Sequence, residues 1–164
     1  MANQPQFNSH NKEEYPPMHT AEHIINQAMC RLFDTGRSIN AHVERKKSRL
    51  DFHTTQPMGD KEAQLLEEEV NRVVQMDLPV NYLTTTRQDA EQYDVDLSRI
   101  PHDSSEAVRI VQVGDYDTCL CIGSHVAHTQ QIGRVEIYSN AYDPERARWR
   151  IRYRLYESDS TFDE

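Results

Sequence analysis

The chain has 164 residues, 37% of them hydrophobic, and carries a net charge of −9. That length suits one domain with a core of its own, and no apolar run approaches the roughly 18 residues a membrane helix needs. Three cysteines, Cys30, Cys119 and Cys121, are an odd count that argues against a disulfide framework. The polar start of the chain also lacks the apolar stretch of a secretory signal, so the expected compartment is the cytoplasm.

Residues 1–17 read as a flexible polar leader that ends on Pro16-Pro17. From Thr20 to Phe33, apolar residues at Ala21, Ile24, Ile25, Ala28, Met29, Leu32 and Phe33 follow helical spacing, with Gly36 as the stop. Two strands are expected at 41–45 and 48–54 around a Lys46-Lys47 turn. A second helix is expected from Asp60, its candidate N-cap, to Met76, with Leu65, Leu66, Val70, Val73 and Val74 as its apolar stripe. A strand through Thr86 and a short helix over 88–93 follow. The last third is β-rich, with strands at 108–113, 118–121, 134–138 and 146–156, and a turn at Asp143-Pro144. The whole is an α+β chain, with helices packed on a largely antiparallel sheet in two layers. The domain is expected over 18–156, followed by a disordered acidic tail over 157–164. There is no internal repeat.

Two pairs of residues carry chemistry. His19 and His23 are four apart at the start of the first helix, which places both imidazoles on one face. Cys121 and His125 are also four apart, around Gly123. Zinc accepts this mixture of imidazole and thiolate in tetrahedral geometry. Each pair alone reads as surface decoration; the two together favour a metal. Cys119 is the alternative thiol, although an inward-facing strand residue is the preferred reading.

The residues around these pairs resemble a known family. His19-Thr20-Ala21-Glu22-His23 resembles the first motif of the alanyl-/threonyl-tRNA synthetase editing domains and their freestanding relatives. Cys121 to Val126 resembles the family's Cys-Gly-Gly-Thr-His-Val. Thr129, Ile132 and Gly133 resemble its Thr-Gly-Glu-Ile-Gly, and Ser48 to Phe52 resembles a strand lying between the two motifs. Order and separation agree over about 18–140. The departures are Ile122 and Ser124 between the ligands and Gln130-Gln131 in place of Gly-Glu. The resemblance implies a Zn2+ ion on His19, His23, Cys121 and His125. It also implies hydrolysis of the ester that joins a wrong amino acid, serine or glycine in the alanine system, to tRNA. Zinc chemistry suits such an ester.

Other residues are candidates around that centre. Thr20 is read chiefly as an N-cap and secondly as a contact to the amino acid's hydroxyl; Ser124 keeps a hydroxyl in the same place. His42 and His53 are read as surface residues and Asp51 as structural. Arg146, Arg148, Arg150, Arg152 and Arg154 alternate with Ala147, Trp149, Ile151, Tyr153 and Leu155. A strand then places five guanidiniums on one face, and arginine without lysine favours phosphate contact. Lys46 and Lys47, with Arg45 and Arg49, extend that patch. The expected partner is therefore tRNA, with a tRNA synthetase as a second candidate and no membrane. Three functions compete: a trans-editing hydrolase, a non-catalytic zinc module that binds tRNA or a synthetase, and a zinc hydrolase of a small ester or amide.

Overall fold

The computed structural model describes residues 15–93, 95–96 and 107–156. Most of the expected leader and all of the expected acidic tail lie outside the described residues. Helix α1 spans Pro16–Phe33 and starts four residues before the expected point. The two prolines open the helix rather than stop it. They occupy its first turn, where a missing N–H costs nothing and a fixed φ is already helical. Thr20 is therefore interior, and Tyr15 is the N-cap residue. The helix ends on Asp34, whose φ of 58° is left-handed, two residues before Gly36.

Strands β1 (Asn40–His42) and β2 (Ser48–His53) form the expected hairpin. Helix α2 spans Asp60–Gln75, with Gly59 rather than Asp60 at its N-cap. The Gly59 N–H donates to Glu62 Oε1 at 2.8 Å, which closes the first turn from within. Ala63, Leu66, Val70, Val73 and Val74 form the buried stripe, whereas Leu65 is 42% exposed. Leu65 lies about 100° around the helix from Leu66 and so misses that face.

Strand β3 (Val80–Thr86) is followed by a 3-10 turn at Asp89–Gln92, where a short helix was expected. Strands β4 (Ala107–Val113) and β5 (Asp117–Leu120) come next. A 3-10 turn at Thr129–Ile132 leads to β6 (Arg134–Asp143) and β7 (Arg148–Tyr156). Strand β7 starts two residues late because Ala147, at φ 53°, belongs to the turn.

The strands form two antiparallel sheets rather than one, ordered β1-β2-β7-β6 and β3-β4-β5. Leu50 and Phe52 on β2 and Trp149, Ile151 and Tyr153 on β7 are fully buried. They share one core with Met18, Ile24, Ile25 and Met29 of α1 and the α2 stripe. Val80, Val111 and Val113 join that core from the second sheet. This arrangement brings β5 against α1, and so brings the loop after β5 to the start of that helix. No described helix is long and apolar enough to cross a membrane.

Candidate metal centre

Helical spacing turns His19 and His23 of α1 towards the loop that leaves β5, and that loop returns Cys121 and His125. One donor atom from each of the four lies within 4.8 Å of the others. Cys121 Sγ is 3.5 Å from His19 Nε2 and 3.6 Å from His125 Nε2. Cys119 lies outside this cluster: it is buried, and its thiol donates to the Leu120 carbonyl at 3.3 Å.

The outer ring nitrogens are also engaged. His19 Nδ1 lies 3.2 Å from the Ser124 carbonyl, and His125 Nδ1 lies 2.9 Å from Thr20 Oγ1. With each Nε2 facing Cys121, the Nδ1–H groups are the donors, so these contacts fix tautomer and orientation. Thr20 Oγ1 also accepts from the Val126 N–H at 3.1 Å. Thr20 is thus a buried brace for His125, not a cap. His23 is fully enclosed, with Asp117 Oδ2 3.5 Å from its Nδ1.

The charges follow from this packing. Burial alone would raise the Cys121 thiol, but hydrogen bonds from His125, His19 and His23 bring it down to about 2. Burial works against charge on His23, yet Asp117 and Cys121 together raise it well above the ordinary histidine range. His125 is pushed down to about 4 by burial and by the neighbouring His23 and His19. A thiolate among imidazoles is the donor set that binds a borderline-soft dication.

The loop between Cys121 and His125 is held from the second sheet. Arg109 of β4 donates Nε to the Cys121 carbonyl at 2.9 Å and a further N–H to the Gly123 carbonyl. Its guanidinium lies 4.4 Å from the Tyr82 ring centroid, and Tyr82 Oη accepts from the His125 N–H at 2.9 Å. Neither residue is marked by the motifs, because both come from distant strands. Gly123 is required here: a Cβ would lie 2.6 Å from His19 Nδ1. Ile122 points outward and is 57% exposed, so the departure from glycine there adds bulk to the rim rather than to the four-residue cluster.

The downstream motif is structural. Thr129 Oγ1 donates to the last α2 carbonyls, Val73 and Val74, and accepts from the Leu78 N–H. Gln131 Oε1 accepts from the Ala127 and His128 N–H groups, so the amide keeps the acceptor a glutamate would supply. Gly133 has φ 84°, the left-handed side that favours glycine.

A cavity of about 220 Å³ opens beside the cluster, walled in part by Glu22, Asn26, Arg37, Asn40 and Cys119. Thr20 and Ser124 are not among its lining residues. Ser124 is exposed at the loop tip and meets the cluster through its carbonyl. His42 is exposed and pairs with Glu44, and His53 is exposed at the end of β2.

The arginine alternation holds on β7, where Trp149, Ile151 and Tyr153 face inward. The outer face is not uniformly free, however. Arg150 grips Asp51 at 2.8 and 3.1 Å, Arg154 pairs with Glu136 at 2.8 Å, and Arg146 lies in the turn near Asp143. Arg152 stands opposite Arg49 across the sheet, and Arg148 Nε is buried without a hydrogen-bond partner. Lys46 and Lys47 are exposed in the β1–β2 turn.

Asp51 is fully buried beneath Arg150, so Arg150→Gln should destabilise the fold by about 1–3 kcal/mol at neutral pH. Burial would raise the Asp51 carboxyl, but hydrogen bonds from Arg150 and Asn40 lower it below its ordinary value. The stability this pair contributes is present above the ordinary aspartate range and lost as pH falls through the folded value. The deficit of the variant should therefore shrink below about pH 4. Urea unfolding of parent and variant at neutral pH and at about pH 3 checks this; a deficit unchanged with pH would contradict it.

The chain is similar in sequence to known proteins. Residues 108–148 match the family described as the threonyl and alanyl tRNA synthetase second additional domain. Over 124 residues, 75% of the chain, it is 33% identical to an alanine–tRNA ligase of Frankia casuarinae. It is 29% identical over 120 residues, 73% of the chain, to that of Petrotoga mobilis, and 32% identical over 124 residues, again 75% of the chain, to that of Lactobacillus johnsonii. The chain spans only 14% of the length of each of these relatives. It belongs to the alanyl-/threonyl-tRNA synthetase editing-domain family.

Proposed function

We propose that the chain is a zinc-dependent hydrolase that removes a wrongly attached amino acid from tRNA, with seryl- or glycyl-tRNA for alanine as substrate, acting in trans. The observation that supports this best is the convergence of His19, His23, Cys121 and His125 beside an open cavity, in a member of an editing-domain family. The Cys121 distances of 3.5 and 3.6 Å suit a tetrahedral ion, since bonds of zinc length imply ligand separations of about 3.3–3.8 Å. When bound, zinc supplies a Lewis acid that can polarise an ester carbonyl or make a water more acidic.

The chain's own residues do the rest. Thr20 and the Ser124 carbonyl hold His125 and His19 in the tautomer that leaves Nε2 for the ion. Arg109 and Tyr82 fix the loop that carries Cys121 and His125. The polar wall of Glu22 and Asn40 offers hydrogen-bond partners to the ammonium and hydroxyl of a seryl group. A wall that bonds a hydroxyl rejects the analogue lacking it, so alanine should be spared, while glycine enters by size.

A second reading is a non-catalytic zinc module. It is favoured by one observation: four protein ligands close a zinc site, as structural sites do. Initial rates of the 164-residue chain on seryl-, glycyl- and alanyl-tRNA separate the two. Faster release of serine or glycine than of alanine supports editing. Equal rates refute editing, and no release from any of the three leaves the zinc module.

For the RNA, we propose phosphate contacts from Arg148 and Arg152 together with Lys46 and Lys47. Arg150, also on the stripe, is occupied by Asp51. Arg148→Gln with Arg152→Gln should weaken tRNA binding and reduce the slope of log affinity against log salt by about 2. Both side chains leave the core from the outer face, so the melting temperature should be kept. Parent-like binding at every salt concentration would mean that these arginines do not touch RNA.

A further inference from the structure

We propose that Asp117, clamped by Arg37 and Gln27, is a positioning residue that fixes His23 at the metal centre. The proposal rests on the zinc reading above but concerns none of the four ligands. Asp117 opens β5 and its side chain is fully buried. Its Oδ1 accepts from Gln27 Nε2 at 2.8 Å and from an Arg37 N–H at 2.8 Å; its Oδ2 accepts a second Arg37 N–H at 3.4 Å. The same Oδ2 is 3.5 Å from His23 Nδ1.

His23 Nδ1 is buried and has no closer hydrogen-bond partner. An imidazole that offers Nε2 to a metal carries its proton on Nδ1, and a buried N–H needs an acceptor. For His19 and His125 the acceptors are a neutral carbonyl and a neutral hydroxyl. Glu22 Oε1 lies 3.7 Å from His19 on its Nε2 side, whereas His23 has a carboxylate at its outer nitrogen, the partner that most strengthens a histidine ligand. Arg37 supplies the counter-charge, without which the carboxylate would be buried unpaired.

The placement adds a second consequence. Gln27 lies one turn beyond His23 on α1, and Asp117 lies four residues before Cys121. The clamp therefore ties the segment that carries His19 and His23 to the one that carries Cys121 and His125. Arg37 also walls the cavity, so the wall and the metal centre share one rigid support.

The test is zinc affinity, measured by competition with a chromogenic chelator in the absence of tRNA. Asp117→Asn keeps the shape and removes the charge. Its affinity should fall by about 10–100-fold. The Arg37→Leu, Asp117→Asn double variant removes both charges and should bind zinc as weakly as the single variant, even where its stability recovers. If Asp117 only held the fold together, the melting temperature would drop while zinc affinity stayed at the parent value, and the proposal would be overturned. Should Asp117→Asn not fold, Gln27→Met removes one bond to Oδ1 and should weaken zinc severalfold; no change there would also overturn it. Parent protein that binds no zinc would instead sink the metal reading itself, and this proposal with it. Nitrogen-15 spectra of the zinc-loaded parent give a further check: His23 should carry its proton on Nδ1.

Discussion

His23→Ala should lower zinc affinity by more than about a hundredfold and take deacylation to the background rate. His23 is the fully buried member of the cluster and lies against the Cys121 thiolate. Three donors would remain, and one face of the ion would meet an empty pocket where the ring had been. The deletion also strands Asp117, which keeps Arg37 but loses its imidazole partner. Metal analysis of purified parent and variant, with circular dichroism to confirm folding, reads the outcome. A variant that retains a full equivalent of zinc would remove His23 from the ligand set.

The second large effect needs no ligand to be touched. Gly123→Ala should cost at least about tenfold in zinc affinity, although all four donors stay in the sequence. A methyl at 123 would overlap the His19 ring. Neither side can give way easily. The ring is held by the Ser124 carbonyl and stacks on His125 at 4.2 Å between centroids. The loop backbone is tethered to Arg109 through the carbonyls of Cys121 and Gly123. Competition with a chelator measures the change, and parent-like affinity would show that the loop yields. By contrast, Ile122→Gly should leave the affinity unchanged, because that side chain points into solvent.

The four-residue cluster was legible because each half of it obeys a local rule. Four residues make one helical turn, so His19 and His23 share a face, and Cys121 and His125 straddle a glycine that lets the loop close. The inward face of β7 was legible for a similar reason: alternation sets Trp149, Ile151 and Tyr153 towards the core. What the sequence hides is pairing. Arg150 looked like its neighbours Arg148 and Arg152, and only the β2–β7 register sets it opposite Asp51. Asp117, Arg37, Arg109 and Tyr82 come from three strands and a loop that nothing local connects. One signal did exist. Asp117 and Cys119 alternate on β5, Cys121 follows in the same phase just past its end, and an acid in phase with a candidate metal thiolate is a candidate outer partner. Pro16-Pro17 misled because proline stops a helix from within but starts one in its first turn.

The central claim is that this chain deacylates tRNA through the cluster of His19, His23, Cys121 and His125. The most direct measurement follows seryl-tRNA hydrolysis by the purified chain before chelation, after removal of metal, and after one equivalent of zinc is returned. Circular dichroism at each stage reports whether the fold has survived. The loaded chain should release serine, lose that release on stripping, and recover it with zinc but not in His23→Ala. A folded, metal-free chain that hydrolyses seryl-tRNA at the full rate would contradict that claim.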